Sequence, residues 1–217
     1  MTILVTGATG FIGNKLVCEL RKKGEKIKIL SRNSYPDVDS VVCDLSSNLI
    51  PSESLEGVKT IFHLAGFTHN LRDARKVKDL YQRINVDATV EIARLALKYN
   101  VKNFIFISSV KAGRFSSMDS CVSEMQEDNA KSVYGRTKRE AELRLLEIGK
   151  NTNMQVSIIR PALVYGPNVK GNLRLILLGI NQGWFPPLPE IGNKRSMIHV
   201  DDLVRAILFI YDSNNTN

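Results

Sequence analysis

The strongest constraint on this chain lies at its start. An apolar strand, Ile3-Leu4-Val5, runs into Thr6-Gly7-Ala8-Thr9-Gly10-Phe11-Ile12-Gly13 and then into a segment of helical period. Each glycine has its own use there. Gly7 permits a tight turn off the strand, Gly10 lets the backbone approach a pyrophosphate without a Cβ clash, and Gly13 lets the helix pack closely on the strand. The first amides of that helix, with Thr9, Phe11 and Ile12 around them, face the same phosphates. Strand, glycine turn and helix in this order predict dinucleotide binding.

The rest of the chain carries the pattern such a unit needs. Runs rich in Ile and Val at 2–6, 26–31, 40–43, 60–64, 103–108 and 155–160 read as buried strands, and they alternate with helical stretches at 10–23, 72–99 and 132–150. The expected fold is α/β: a doubly wound parallel sheet. In the long stretch from Arg72, Val77, Leu80, Tyr81, Ile84, Ala88 and Ile92 recur at helical spacing and predict one face packed on the sheet. After Pro161, glycines and the run Pro186-Pro187-Leu188-Pro189 predict a loop-rich region, followed by a short strand at 196–200 and a helix to about Tyr211 that Asp201 caps. The division expected is 1–165 for the dinucleotide-binding part with the reacting groups, and 166–217 for a partial substrate-binding region that returns to the core.

Composition narrows the class. With 43% hydrophobic and 24% charged residues, the 217-residue chain has the balance of a globular domain with a sizeable core. It has no run of about 18 apolar residues, and Met1 leads directly into a strand, so the expectation is a soluble, cytoplasmic protein without a membrane partner. Cys18, Cys43 and Cys121 are odd in number, widely spaced and without a CxxC pair, which points to neither a disulfide framework nor a metal site. The net charge of +8 is spread over apparent helix faces with no nucleic-acid motif, so it reads as solvated surface that also attracts anionic ligands.

Three clusters carry chemistry. The second strand ends in Ser31-Arg32-Asn33, where an acid would hold the ribose hydroxyls of NAD. A guanidinium in that place pairs with a 2′-phosphate, so NADP is expected, with NAD as the alternative. Asp44, before Leu45, stands at the end of the third strand and either accepts from the adenine amino group or caps the turn 45–47. Tyr134 and Lys138 lie four residues apart on one helix face, where the ammonium is expected to lower the phenol's pKa and make it a proton donor and acceptor. Ser108 and Ser109 close an apolar strand, and a hydroxyl there orients a substrate oxygen.

Thr6 to Gly13, His63-Leu64-Ala65-Gly66, Ser108-Ser109, Tyr134 to Lys138, Arg160-Pro161 and Arg195-Ser-Met-Ile-His-Val-Asp-Asp together resemble the extended short-chain dehydrogenase/reductase family, of the NAD-dependent epimerase/dehydratase type with a Rossmann fold. The resemblance implies a nicotinamide-dependent oxidoreductase with Tyr134 as acid/base, Lys138 as its activator and Ser109 as the hydroxyl that faces the substrate. It implies Leu64, Ala65, Gly66, Ser108 and Pro161 along the cofactor, a structural His63, and Asn85 in a structural role beside the cofactor. Asn172, Leu173 and Arg195 fall where similar epimerases grip a nucleotide diphosphate, so a nucleotide-linked sugar is the implied substrate and a homodimer through the two long helices the implied assembly. Ser109 is followed by Val110-Lys111 and not by the acidic pair that dehydratases need. Dehydration is therefore not expected, and Ser108-Ser109-Val110-Lys111 resembles bacterial sugar 4-ketoreductases and related epimerases, which together with Arg32 implies reduction of a 4-keto sugar with NADPH, with 4-epimerisation the alternative and an idle dinucleotide-binding or redox-sensing module the alternative outside enzymes. Family members usually continue beyond the His-Val-Asp-Asp helix, so the substrate region is expected to be partial.

Overall fold

The computed structural model describes residues 1–35, 37–47, 49–68, 74–113, 123, 130–186 and 195–215. Six strands form one sheet: β1 (Thr2–Thr6), β2 (Lys26–Ser31), β3 (Asp39–Val42), β4 (Val58–His63), β5 (Asn103–Ile107) and β6 (Gln155–Ile159). All pair in parallel, in the order β3-β2-β1-β4-β5-β6. The order reverses between β1 and β4, and ligands of such sheets gather beyond the strand ends at that switch point.

The apolar runs look continuous in the sequence, yet their alternation sorts them into two layers. Ile3, Val5, Ile105 and Ile107 face α1 (Phe11–Lys22) and α6 (Val200–Asn215), meeting Leu16, Leu20, Leu203 and Ile207. Leu4, Ile61, Phe104 and Phe106 face α3 (Ala88–Lys98) and α4 (Val133–Lys150), meeting Ile92, Ala96, Ala141 and Leu145. Burying such a side chain contributes roughly 1.5–3 kcal/mol, so both helical layers are held mainly by these contacts.

Several expectations are corrected. The stretch from Arg72 is two helices and not one: α2 (Ala74–Gln82) and α3 are joined by a π-helical turn, Arg83–Asp87. The extra residue of that turn carries Asn85 and Val86 into the interior and leaves Ile84 only half-buried. The region after Pro161 is more ordered than its glycines and prolines suggest, for it holds β7 (Leu163–Tyr165), α5 (Asn172–Asn181) and β8 (Met197–His199), with β7 and β8 paired in parallel. Gly179 sits inside α5 because Trp184 folds back on it: a Cβ there would lie 3.0 Å from the indole. Asp201 does not cap α6. The His199 ring accepts the Asp201 amide at 3.3 Å, while the Asp201 carboxylate pairs with Lys15 of α1 at 2.9 Å. The expected helix start at Arg72, Cys121 and Pro187 to Pro189 lie outside the described residues. No helix among the described residues is long and apolar enough to cross a membrane.

Candidate active site

The glycine turn at the end of β1 is built by close approach of backbone. Gly7 has φ +72°, and a Cβ on it would lie 2.6 Å from the Ala65 nitrogen; on Gly13 it would lie 2.2 Å from the Gly7 oxygen. Gly10 donates its amide to that same oxygen at 2.9 Å. The first turn of α1, at Phe11, Ile12 and Gly13, has no side-chain cap and no acidic residue. Its amides therefore keep the partial positive charge that an anion would meet.

A hydrogen-bonded row of side chains crosses beneath the turn. Thr6 Oγ1 accepts from the Ala65 amide at 3.2 Å and contacts His63 Nδ1 at 2.7 Å, and His63 Nε2 contacts Thr89 Oγ1 at 2.8 Å. Thr89 spends its proton on the Asn85 carbonyl at 2.9 Å, so it must accept from the ring. The network thus assigns the proton to Nε2, and Thr6 donates to Nδ1. Burial, with a smaller push from Lys138, lowers the His63 pKa to about 3 and leaves the ring neutral. Asn85, 1% exposed, accepts from the Phe67 amide at 2.7 Å and donates to the Phe67 carbonyl and to Thr137 Oγ1, each at 3.1 Å. Leu64, Ala65 and Gly66 are in this way pinned from both sides.

Ser108, Ser109, Tyr134 and Lys138 meet where β5 ends and α4 begins. Ser132 caps α4 by accepting the Gly135 amide at 3.0 Å. Gly135 packs so tightly on the turn after Ser109 that a Cβ would lie 2.2 Å from the Lys111 oxygen. That contact sets Tyr134 near Ser109, whose hydroxyl acts on the phenol. Lys138, one turn further on, donates to the Ile107 carbonyl at 2.9 Å and lies 4.4 Å over the Phe106 ring. The expected lowering of the phenol pKa is not what the site produces. Burial raises it, the Ser109 bond lowers it by less, and Tyr81 adds to the rise. Lys138 is itself pushed down to about 7 by burial, against the pull of Glu142. Ser109 also accepts the Lys111 amide at 3.2 Å. The Ser108 hydroxyl is buried with no hydrogen-bond partner among the described residues. A cradle that a Cβ would fill, uncapped amides and an orphaned hydroxyl fit a bound dinucleotide.

The outer residues are less converged. Arg32 and Asp44 stand at adjacent ends of β2 and β3, where the charge of Arg32 contributes to a lowered Asp44 pKa. The larger cause is Ser46, whose amide bonds Asp44 Oδ1 at 2.9 Å, so Asp44 caps the turn Leu45–Ser47. The Pro161 carbonyl accepts the Val110 amide at 3.1 Å, which ties the end of β6 to the serine turn. Leu173 lies half-buried in the first turn of α5, and the side chain of Asn172 lies outside the described residues. Arg195 is exposed two residues before Met197, which pairs with Leu163 close to Pro161. Thr6, Gly135 and Thr137, inside the quoted motifs, also border the site, as do Tyr81, which the spacing assigned to core packing, and Thr89 and Glu142, which lie in no motif. Of the last two, Glu142 had a legible signal, its four-residue spacing from Lys138.

The model of the NAD dependent epimerase/dehydratase family matches residues 3–217. The chain is 34% identical over 218 residues to a UDP-glucose 4-epimerase of Vibrio cholerae, a match covering 97% of this chain and 66% of that protein. It is 29% identical over 212 residues to the N-acetyl-alpha-D-glucosaminyl-diphospho-ditrans,octacis-undecaprenol 4-epimerase of Escherichia coli O157:H7, covering 95% of this chain and 62% of that one. The structure of MoeE5 in complex with UDP-glucuronic acid and NAD superposes with a TM-score of 0.83 at 30% identity, covering 96% of this chain and 71% of that chain. The chain spans between about half and two thirds of the curated relatives' own lengths. A Rossmann-type sheet with a glycine cradle at its switch point and a match along nearly its full length places this chain in the NAD dependent epimerase/dehydratase family.

Proposed function

We propose that this chain carries the cofactor-binding and proton-transfer part of a nucleotide-sugar 4-epimerase that uses NAD. The observation that carries the reading is the junction of Ser109, Tyr134 and Lys138 beside the glycine cradle. The 4-epimerase relatives favour epimerisation over the net reduction expected from Val110-Lys111, and MoeE5, solved with UDP-glucuronic acid and NAD, favours a nucleotide sugar and NAD as ligands. NAD is preferred to NADP because Asp44 stands beside Arg32, so a 2′-phosphate there would meet a carboxylate as well as a guanidinium.

Gly7, Gly10 and Gly13 with the first amides of α1 hold the pyrophosphate, Asp44 and Leu45 border the adenosine, and Leu64, Ala65, Gly66 and Ser108 line the path to the reacting end. When bound, the nicotinamide ring supplies the acceptor and donor of hydride. Ser109 holds the sugar hydroxyl, and Tyr134 removes its proton as the carbon is oxidised, then returns it when the ketone is reduced on the other face. One phenol serves both halves because the proton is conserved across the cycle. Lys138, as ammonium, stabilises the phenolate while it holds that charge. Arg195, Asn172 and Leu173 bind the nucleotide diphosphate.

Incubation with UDP-glucose and catalytic NAD is expected to yield the 4-epimer without net accumulation of NADH, and Tyr134→Phe to lower the rate about 10²–10⁴-fold. Stoichiometric oxidation of NADPH by a 4-keto sugar would instead establish the reductase. In thermal-shift titrations NAD is expected to raise the Tm more than NADP does, with Arg32→Ala changing only the NADP response.

A further inference from the structure

Arg160 directly follows β6, and all three nitrogens of its guanidinium are engaged. Nε donates to Glu142 Oε1 at 2.8 Å and Nη2 to Glu142 Oε2 at 2.6 Å, a two-point grip on a carboxylate that is 0% exposed. Nη1 lies against Gly113, where an added Cβ would stand 3.4 Å from it. Glu142 belongs to α4, and Gly113 closes the turn that begins at Ser109. The main chain on either side of Arg160 holds the same turn: the Ile159 carbonyl accepts the Ser108 amide at 2.7 Å and the Pro161 carbonyl accepts the Val110 amide at 3.1 Å. α4 itself touches the turn at Gly135, which packs on the Lys111 oxygen. Glu142 stands seven residues after Gly135, about 10 Å further along the helix. A single contact at Gly135 would leave α4 free to pivot on the turn. A second one, two helical turns away, removes that freedom, and Tyr134 beside Gly135 is then fixed in direction as well as in place.

We propose that Arg160 and Glu142 are positioning residues: the guanidinium ties α4 to the serine turn and so sets how Tyr134 stands against Ser109. A buried ion pair adds little stability over an apolar pair of similar size, so what this one supplies is direction. The planar fork of an arginine gives it, since two parallel bonds fix an angle that one bond leaves open. The consequence for turnover rests on the acid/base reading of Tyr134. The tie between helix and turn can be measured without a substrate.

The test uses Glu142→Leu combined with Arg160→Met, which removes the fork and leaves no buried charge of the pair unmatched. Arg139, which also contacts Glu142 at 3.2 Å, has a side chain 20% exposed and stays within reach of water. Amide hydrogen exchange read by NMR is expected to run about tenfold faster at Val110 and Ala112 than in the parent chain, with Leu4 of β1 unchanged. A pair that serves overall stability alone would speed every amide together or none, and either result overturns the proposal. In the same variant kcat with UDP-glucose is expected to fall about 10–100-fold while the NAD dissociation constant holds. Unchanged kcat, or an equal loss of NAD affinity, also overturns it. If the double variant does not fold, Arg160→Lys decides: it keeps the charge but offers a single point, so exchange at Val110 and Ala112 is expected to rise by about threefold, and exchange equal to the parent's overturns the proposal. If the parent chain does not epimerise UDP-glucose, the exchange result still decides the tie, and only the functional reading falls.

Discussion

At position 63 an imidazole sits between two threonine hydroxyls that arrive from β1 and α3, and its tautomer follows from what each hydroxyl can still donate. With a folded-state pKa of about 3 against 6.5 in the unfolded chain, His63 takes up its proton only in the unfolded state over that interval. Stability from this residue is therefore present above pH 6.5 and falls as pH drops toward 3. Between pH 7.5 and pH 5, urea unfolding is expected to show a loss of about 2 kcal/mol in the parent chain beyond that in His63→Gln. Equal losses would remove the buried neutral ring from the account. Thr89→Val, which leaves Nε2–H without its acceptor, is expected to cost about 1–3 kcal/mol, and Thr89→Ser to restore most of it.

Elements meet the site through glycine contacts and one irregular turn. Gly135 lets the first turn of α4 lie on the serine turn, since a Cβ would stand 2.2 Å from the Lys111 oxygen. Gly135→Ala must push α4 away from β5, so it is expected to separate Tyr134 from Ser109 and to cut turnover far more than it weakens NAD binding. Separate measurements of kcat and of the NAD dissociation constant check this, and an equal loss in both would point to general unfolding. The π-helical turn between α2 and α3 works in the other direction: it places Asn85, and not Ile84, against Phe67 and Thr137. Periodicity alone assigns the apolar residue to the interior, and the added residue of the turn overrides it.

For the molecule as a whole, the last helix is part of the main core. Leu203, Val204, Ile207 and Tyr211 of α6 pack on α1 and the sheet, the Tyr211 ring lies 5.5 Å from Phe62, and its hydroxyl bonds Glu25 at 3.2 Å. Ile207→Ala is expected to destabilise the whole fold by about 2–5 kcal/mol, read as a lowered urea midpoint with an unchanged slope. Much of this architecture was legible in advance, because strand alternation, the glycine turn and the Tyr134–Lys138 spacing are local patterns that act through neighbouring residues. All six strands of the main sheet lie within two residues of the ranges expected from the sequence. The sequence by itself determined the parallel sheet and the glycine cradle. Only the tertiary structure decided the direction of the phenol's pKa, the tautomer of His63, the capping role of Asp44 and the pairing of Glu142 with Arg160. Each of those depends on burial and on charges brought together from distant parts of the chain, and solvation and Coulomb energies follow distance in space and not distance along the chain.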